Sequence, residues 1–181
     1  MHMVEGLDTG DMILAREVVL DKKETAGTLH DKLAELGGKA VLEALDLIAV
    51  GRAPRIKQDD SQSSYVSVMD KTFGLIDFTK PAVLIERLIR GLNPWPTAYT
   101  YYNGKMFKIW DADVVESKGY NTKNVKAGTI VDVTKNEIVV LCGKDCLKLN
   151  SVQLEGKRRM TVSEFLRGYP VSAGTGFCNQ K

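Results

Sequence analysis

Apolar positions recur along this chain with two different periods, and the change between them divides it. Met12 to Leu20, apolar except for Arg16-Glu17 and rich in valine and leucine, predicts a strand in need of neighbouring strands. After a turn at Asp21-Lys22-Lys23, Thr25 is placed to cap a helix in which Leu29, Leu33, Leu36 and Ala40 share a face. Val41, Leu45 and Ile48 prolong that apolar surface as far as Gly51, with Gly37-Gly38 weakening the middle. Residues 51–75 are polar and turn-rich around one short extended piece, Tyr65 to Met69, and read as a linker. A shorter helix begins near Pro81, presents Leu84, Ile85, Leu88 and Ile89, and stops at Gly91.

Beyond Thr97 the period becomes two. Ala98 to Tyr102 and Lys105 to Trp110 flank Asn103-Gly104, a pair suited to a tight antiparallel hairpin. Gly128 to Val133, Glu137 to Cys142 and Cys146 to Leu154 supply three more strands, and a terminal helix is expected around Val162 to Leu166. Five short strands and a helix predict a small closed or nearly closed barrel, which leaves no long exposed edge.

Composition narrows the class. At 181 residues, 44% apolar and 27% charged, the chain suits one domain or two small ones. It has no long uncharged apolar run to span a membrane and no visible secretory leader. Three cysteines, an odd number, fit a reducing compartment better than a disulfide framework. The net charge of +2 conceals an asymmetry: residues 1–50 hold five Lys/Arg against ten Asp/Glu, leaving twenty against thirteen for residues 51–181. The second part is therefore the face expected for a polyanion.

Candidate chemistry lies in four places. Glu5-Gly6-Leu7-Asp8-Thr9-Gly10-Asp11 gathers three carboxylates and a threonine on one glycine-turned loop, a composition suited to a site. Gly156-Lys157-Arg158-Arg159 is the strongest basic cluster, with Arg90, Lys105, Lys108, Lys144 and Lys148 able to extend it. Lysines and arginines there suit phosphate oxygens, while a solvated basic turn is the plain alternative. Pro94 and Pro96 stiffen the backbone around Trp95, so its indole is expected to anchor the junction between helix and barrel. Cys142 and Cys146 lack further ligands, so no metal site is expected; neither His2 nor His30 reads as catalytic.

Taken in order, Glu5-Gly-Leu-Asp-Thr-Gly-Asp11, Leu29-His-Asp-Lys-Leu-Ala-Glu-Leu-Gly37, Ile89-Arg-Gly-Leu-Asn-Pro-Trp-Pro96, Cys142-Gly143, Gly156-Lys-Arg-Arg-Met160 and Phe165-Leu-Arg-Gly168 resemble the second half of the methionyl-tRNA formyltransferase family. The resemblance implies an α+β fragment of a longer protein. Residues 1–50 would be the remnant strand and helix of a Rossmann-like formyltransferase domain, residues 51–75 a linker, and residues 76–181 an OB-like β-barrel with flanking helices. It further implies transfer of a formyl group from 10-formyltetrahydrofolate to the methionine amine of initiator methionyl-tRNA, in the cytoplasm, with Asp8 catalytic and Lys157, Arg158, Arg159 and Arg90 on the tRNA. The family's other catalytic groups, an asparagine and a histidine, and much of its folate pocket lie upstream, so this chain alone is expected to be inactive, and its truncated N-terminal half to be prone to self-association. The alternatives are part of a formyltransferase acting on an amino or nucleotide sugar, or a non-catalytic structural or oligomerisation module.

Overall fold

The computed structural model describes residues 1–178, which divide into two compact units, Met1–Val68 and the chain from Met69 onward. The first unit is built on one long helix, α1 (Ala26–Ala49). Thr25 and Thr28 cap it reciprocally: each hydroxyl accepts the other's backbone N–H, at 3.2 Å for Thr25 Oγ1 and 3.0 Å for Thr28 Oγ1. Lys32 Nζ then donates to Asp21 and Glu24, tying the preceding turn to the helix. The helix ends where Gly51 takes a positive φ of 66°, which lets Arg52 N–H reach Leu47 O at 2.8 Å.

The strand expected over Met12 to Leu20 does not form. Met12 alone finds a partner, exchanging backbone hydrogen bonds of 2.8 and 3.0 Å with Ile56, and the rest of the stretch makes no ladder. Strand propensity needs an edge to pair with, and residues 1–68 offer only that one bridge. For the same reason α1 buries none of its residues: Leu29, Leu36 and Ala40 are half-buried, while Leu33, Val41, Leu45 and Ile48 are exposed.

The second unit carries a single antiparallel sheet. Helix α2 (Ala82–Gly91) is followed by β1 (Ala98–Tyr102), β2 (Lys105–Val115), β3 (Ile130–Val133), β4 (Ile138–Leu141), β5 (Cys146–Leu154), β6 (Met160–Thr161) and α3 (Val162–Gly168). The sheet runs β1-β2-β5-β4-β3, with β6 added to β5. Asn103 and Gly104 both adopt positive φ, 49° and 73°, and join β1 to β2 through the expected two-residue turn. β2 continues past Trp110 to Val115, pairing again with β5 beyond a bulge between Ile109 and Asp111 that leaves Trp110 without a cross-strand partner and breaks the alternation.

The core is formed by the inward positions of β2 and β5 with α2 and α3: Phe107, Ile109, Leu147, Leu149 and Val152 meet Ile85, Ile89 and Phe165. In α2 the buried positions are Ala82, Ile85, Glu86 and Ile89, whereas Leu84 faces out. Gly128 and Thr129, expected in a strand, precede β3 and bond to two sides: Gly128 N–H donates to Leu141 O at 2.8 Å and Thr129 O accepts the Leu141 N–H at 2.9 Å, while Gly128 O accepts the Phe177 N–H at 2.9 Å in the segment Gly174–Cys178. That segment also exchanges two 3.0 Å hydrogen bonds with Tyr101, so it touches both outer strands of the sheet.

Candidate nucleic-acid interface

Asp8 stands in the first unit on a loop held from outside itself. Gln58 Nε2 donates to Asp8 O at 2.9 Å and to Gly10 O at 2.7 Å, and His2 N–H donates to Asp11 O at 2.8 Å. A Cβ at Gly10 would lie 1.8 Å from His2 O, so only glycine permits this approach. Asp8 itself has φ 54°, a left-handed conformation that asparagine and aspartate tolerate better than other side chains. Its carboxylate is exposed, beside a shallow cleft shared with Thr9, Gln58, Asp59 and Tyr65.

The basic cluster after β5 resolves into three different environments. Lys157 is exposed, and its carbonyl accepts Gln153 Nε2 at 2.8 Å. Arg158 pairs with Glu164 at 3.2 Å. That carboxylate is held low in pKa by the Thr161 N–H and hydroxyl that it accepts as partner in the α3 capping box, and it remains anionic beside Arg158. Arg159 has its guanidinium 4.9 Å from the Trp110 ring centroid while its Nε donates to Ser151 Oγ at 2.9 Å. Arg90 lies on α2, mostly buried, with Nε 2.8 Å from Glu86 Oε1. The structure thus gathers Lys157, Arg158 and Arg159 on one turn and gives Arg90 a carboxylate of its own.

Sequence alone offers Lys108 as an extension of the basic surface, whereas Trp110, Gln153, Asn150, Asp111 and Asp113 escaped the sequence reading as site residues. Lys108 lies opposite Gln153 across the β2–β5 pair, and Trp110 Nε1 donates to Gln153 Oε1 at 3.1 Å. A tryptophan in the outward phase of Met106, Lys108, Trp110, beside the inward Phe107 and Ile109, is the signal that marks it. Further along the same pair the face turns acidic: Asn150 Nδ2 donates to Asp111 and Asp113 at 3.1 and 2.9 Å. Trp95 is not the junction anchor expected of it, being 58% exposed; Leu92, Pro96 and Thr97 take the buried positions around it, and Asn93 Nδ2 makes the connection to the sheet through Trp110 O. Cys142 and Cys146 are buried, and burial pushes the Cys142 thiol up to about 12, away from reactivity.

Comparison with known proteins adds a second line. Residues 68–170 match the family model of the formyl transferase C-terminal domain. Methionyl-tRNA formyltransferase of Lachnospira eligens is 50% identical over 175 residues, covering 96% of this chain and 56% of its own length. That of Clostridioides difficile is 46% identical over 174 residues, with 96% and 55% covered. The chain therefore spans about half the length of the curated relatives it matches. Among solved structures, a variant of HypX from Aquifex aeolicus superposes with a TM-score of 0.63 at 16% identity, over 94% of this chain and 30% of its own. WlaRD, a sugar 3N-formyl transferase, gives 0.60 at 18%, over 86% and 53%. At those identities the likeness is one of fold.

Proposed function

This chain belongs to the formyl transferase family through its C-terminal domain, and on that premise we propose that it is part of a methionyl-tRNA formyltransferase that formylates the methionine of initiator methionyl-tRNA in the cytoplasm. One observation carries the reading: the likeness to methionyl-tRNA formyltransferases extends over nearly the whole chain, beyond the span of the family model. In this reading residues 1–50 belong to the end of a Rossmann-like domain, residues 51–75 are a linker, and residues 76–181 are an OB-like barrel with its preceding helix. The hydrogen bonds of Gly174–Cys178 to both outer strands support the barrel.

The formyl donor is 10-formyltetrahydrofolate. A HypX structure has been solved with tetrahydrofolic acid, and a folate donor suits the family. When bound, that donor would supply the formyl group, the methionine amine giving up a proton and the folate nitrogen taking one as the formyl passes between them. Asp8 orients an acid–base partner and favours the positive charge that develops on the attacking amine. On this reading that partner and most of the folate pocket are supplied by residues other than these 181, so the 181-residue chain assayed alone is expected to show no turnover.

Lys157, Arg158 and Arg159, with Arg90 beyond them, meet the tRNA through phosphates, reading backbone and shape more than base sequence. The test is binding of initiator tRNA to the 181-residue chain across a salt series. Binding at low salt with a steep fall as salt rises, and a weaker, shallower dependence when Lys157, Arg158 and Arg159 are all alanine, is the expected result. No affinity at low salt for a folded chain overturns the reading, and affinity for a nucleotide sugar instead favours a sugar formyltransferase.

A further inference from the structure

The three basic residues after β5 are not equivalent, and the difference lies in what holds them. Arg158 already has a carboxylate, Glu164, and Lys157 has a flexible stem with no side-chain hydrogen bond among the described residues. Arg159 forms no ion pair among the described residues, yet it is fixed at two points: its guanidinium carbon lies over the Trp110 ring, 4.9 Å from the centroid, and its Nε is spent on Ser151 Oγ. Both terminal nitrogens, with four N–H groups between them, are left for a ligand, which is the geometry that grips a phosphate through two parallel hydrogen bonds.

Trp110 is itself fixed. As the unpaired residue of the β2 bulge it stands on the outward face, and its indole N–H is held by Gln153, whose amide reaches on to Lys157 O and so ties the ring to the basic turn. Lys108 Nζ lies 6.0 Å from the same ring and adds charge. The nearest carboxylate of the turn, Glu155, accepts the Met106 N–H at 3.0 Å, while Asp111 and Asp113 bind Asn150 further along the strands. Lys148 lies 4.0 Å from Asp113 and 3.8 Å from Glu137, so the far end sets Asp111, Asp113 and Glu137 against one ammonium and is net acidic, while Lys108 and Arg159 stand at the near end.

Resting on the tRNA reading above, we infer that Trp110 is a positioning residue that holds Arg159 ready for a backbone phosphate, making Arg159 the dominant tRNA contact of its cluster. Restraining the guanidinium before binding lowers the ordering cost on contact. The phosphate docks at the Lys108–Trp110–Arg159 end of the face and is kept from the other end by Asp111 and Asp113.

The experiment measures initiator-tRNA affinity and its salt slope for the 181-residue chain carrying Arg159→Ala, Trp110→Leu, Trp110→Phe, Arg158→Ala, or Arg159→Ala with Trp110→Leu. Arg159→Ala should weaken binding about tenfold and lower the log–log salt slope by about one. Trp110→Leu, which removes no charge, should also weaken binding and flatten the slope; Trp110→Phe should restore most of both, and the double variant should equal Arg159→Ala alone. Arg158→Ala should weaken binding less than Arg159→Ala does, because Glu164 already takes part of the Arg158 charge. If Trp110→Leu does not fold by near-ultraviolet circular dichroism, Ser151→Ala, which cuts the other tether, should weaken binding in the same direction. Parent-like affinity and slope in a folded Trp110→Leu or in Ser151→Ala, or losses that add in the double variant, overturn the inference while leaving the tRNA reading standing. A parent chain that does not bind tRNA overturns both.

Discussion

At the scale of single residues, two carboxylates illustrate how the backbone sets what a side chain can do. Asp8 occupies the left-handed region, so Asp8→Asn removes the charge while keeping a residue tolerant of φ 54°, whereas Asp8→Ala adds backbone strain of about 1 kcal/mol. On the function proposed above, Asp8→Asn in a full-length methionyl-tRNA formyltransferase carrying this chain should lower turnover far more than tRNA affinity; equal losses in both would mark a structural role. Glu24 is the second case. The Lys32 ammonium, then the Thr28 hydroxyl, hold its pKa down from 4.5 to about 2. A lowered pKa in the folded state means the unfolded chain binds the proton more readily, so this contribution is complete above about pH 4.5 and fades as the pH falls toward 2. Helical circular dichroism followed through an acid titration should show that loss, and Glu24→Gln should remove the Glu24-dependent part of it.

At the scale of elements, α1 is long, well capped and weakly packed. Gly37 and Gly38 sit in its middle with open space where a Cβ would stand and no positive φ. Each replaced by alanine should therefore stabilise the helix by about 0.5–1 kcal/mol, read as an upward shift in the urea midpoint. Gly143→Ala is the contrasting case. Its Cβ would lie 1.9 Å from Thr79 O, at a point where its own N–H donates to both Phe78 O and Lys80 O, so the loop must move and those bonds weaken. The variant should lose stability by more than about 2 kcal/mol; an unchanged midpoint would show that the Phe78–Lys80 turn yields freely.

At the scale of the whole molecule, apolar burial is divided unevenly. Ile13 is the one buried apolar side chain in residues 1–68 among those described, while the second unit holds a continuous core from Ile76 to Phe165. Amide hydrogen exchange should accordingly be slow in β2, β4 and β5 and fast through most of residues 1–68; uniform protection in a dilute monomer would contradict this. The exposed Leu33, Val41, Leu42, Leu45 and Ile48 of α1 also favour self-association. Sedimentation should reveal an assembly that grows with concentration and that Leu42→Asp with Leu45→Asp abolishes.

The sequence by itself determined the local elements whose signals are short-range. Thr25 starts α1, Asn103-Gly104 turns the hairpin, and the apolar run from Cys146 to Leu154 reproduces β5 at both ends, because capping, turn chemistry and alternation act within a few residues. Asp8 and the cluster Lys157, Arg158, Arg159 were likewise visible as residue types. Tertiary structure alone decided which apolar stretches find partners: Met12 to Leu20 reads as a strand yet has only Ile56 to pair with, and α1 has an apolar face with little to bury it against. It also decided which charges are occupied. The i,i+4 spacing of Glu86 and Arg90 on a predicted helix announces their pair, but nothing in the order of residues says that Glu164 takes Arg158 or that Arg159 comes to lie over Trp110, because these pairings are set by side chains meeting in space on elements fixed by the rest of the fold.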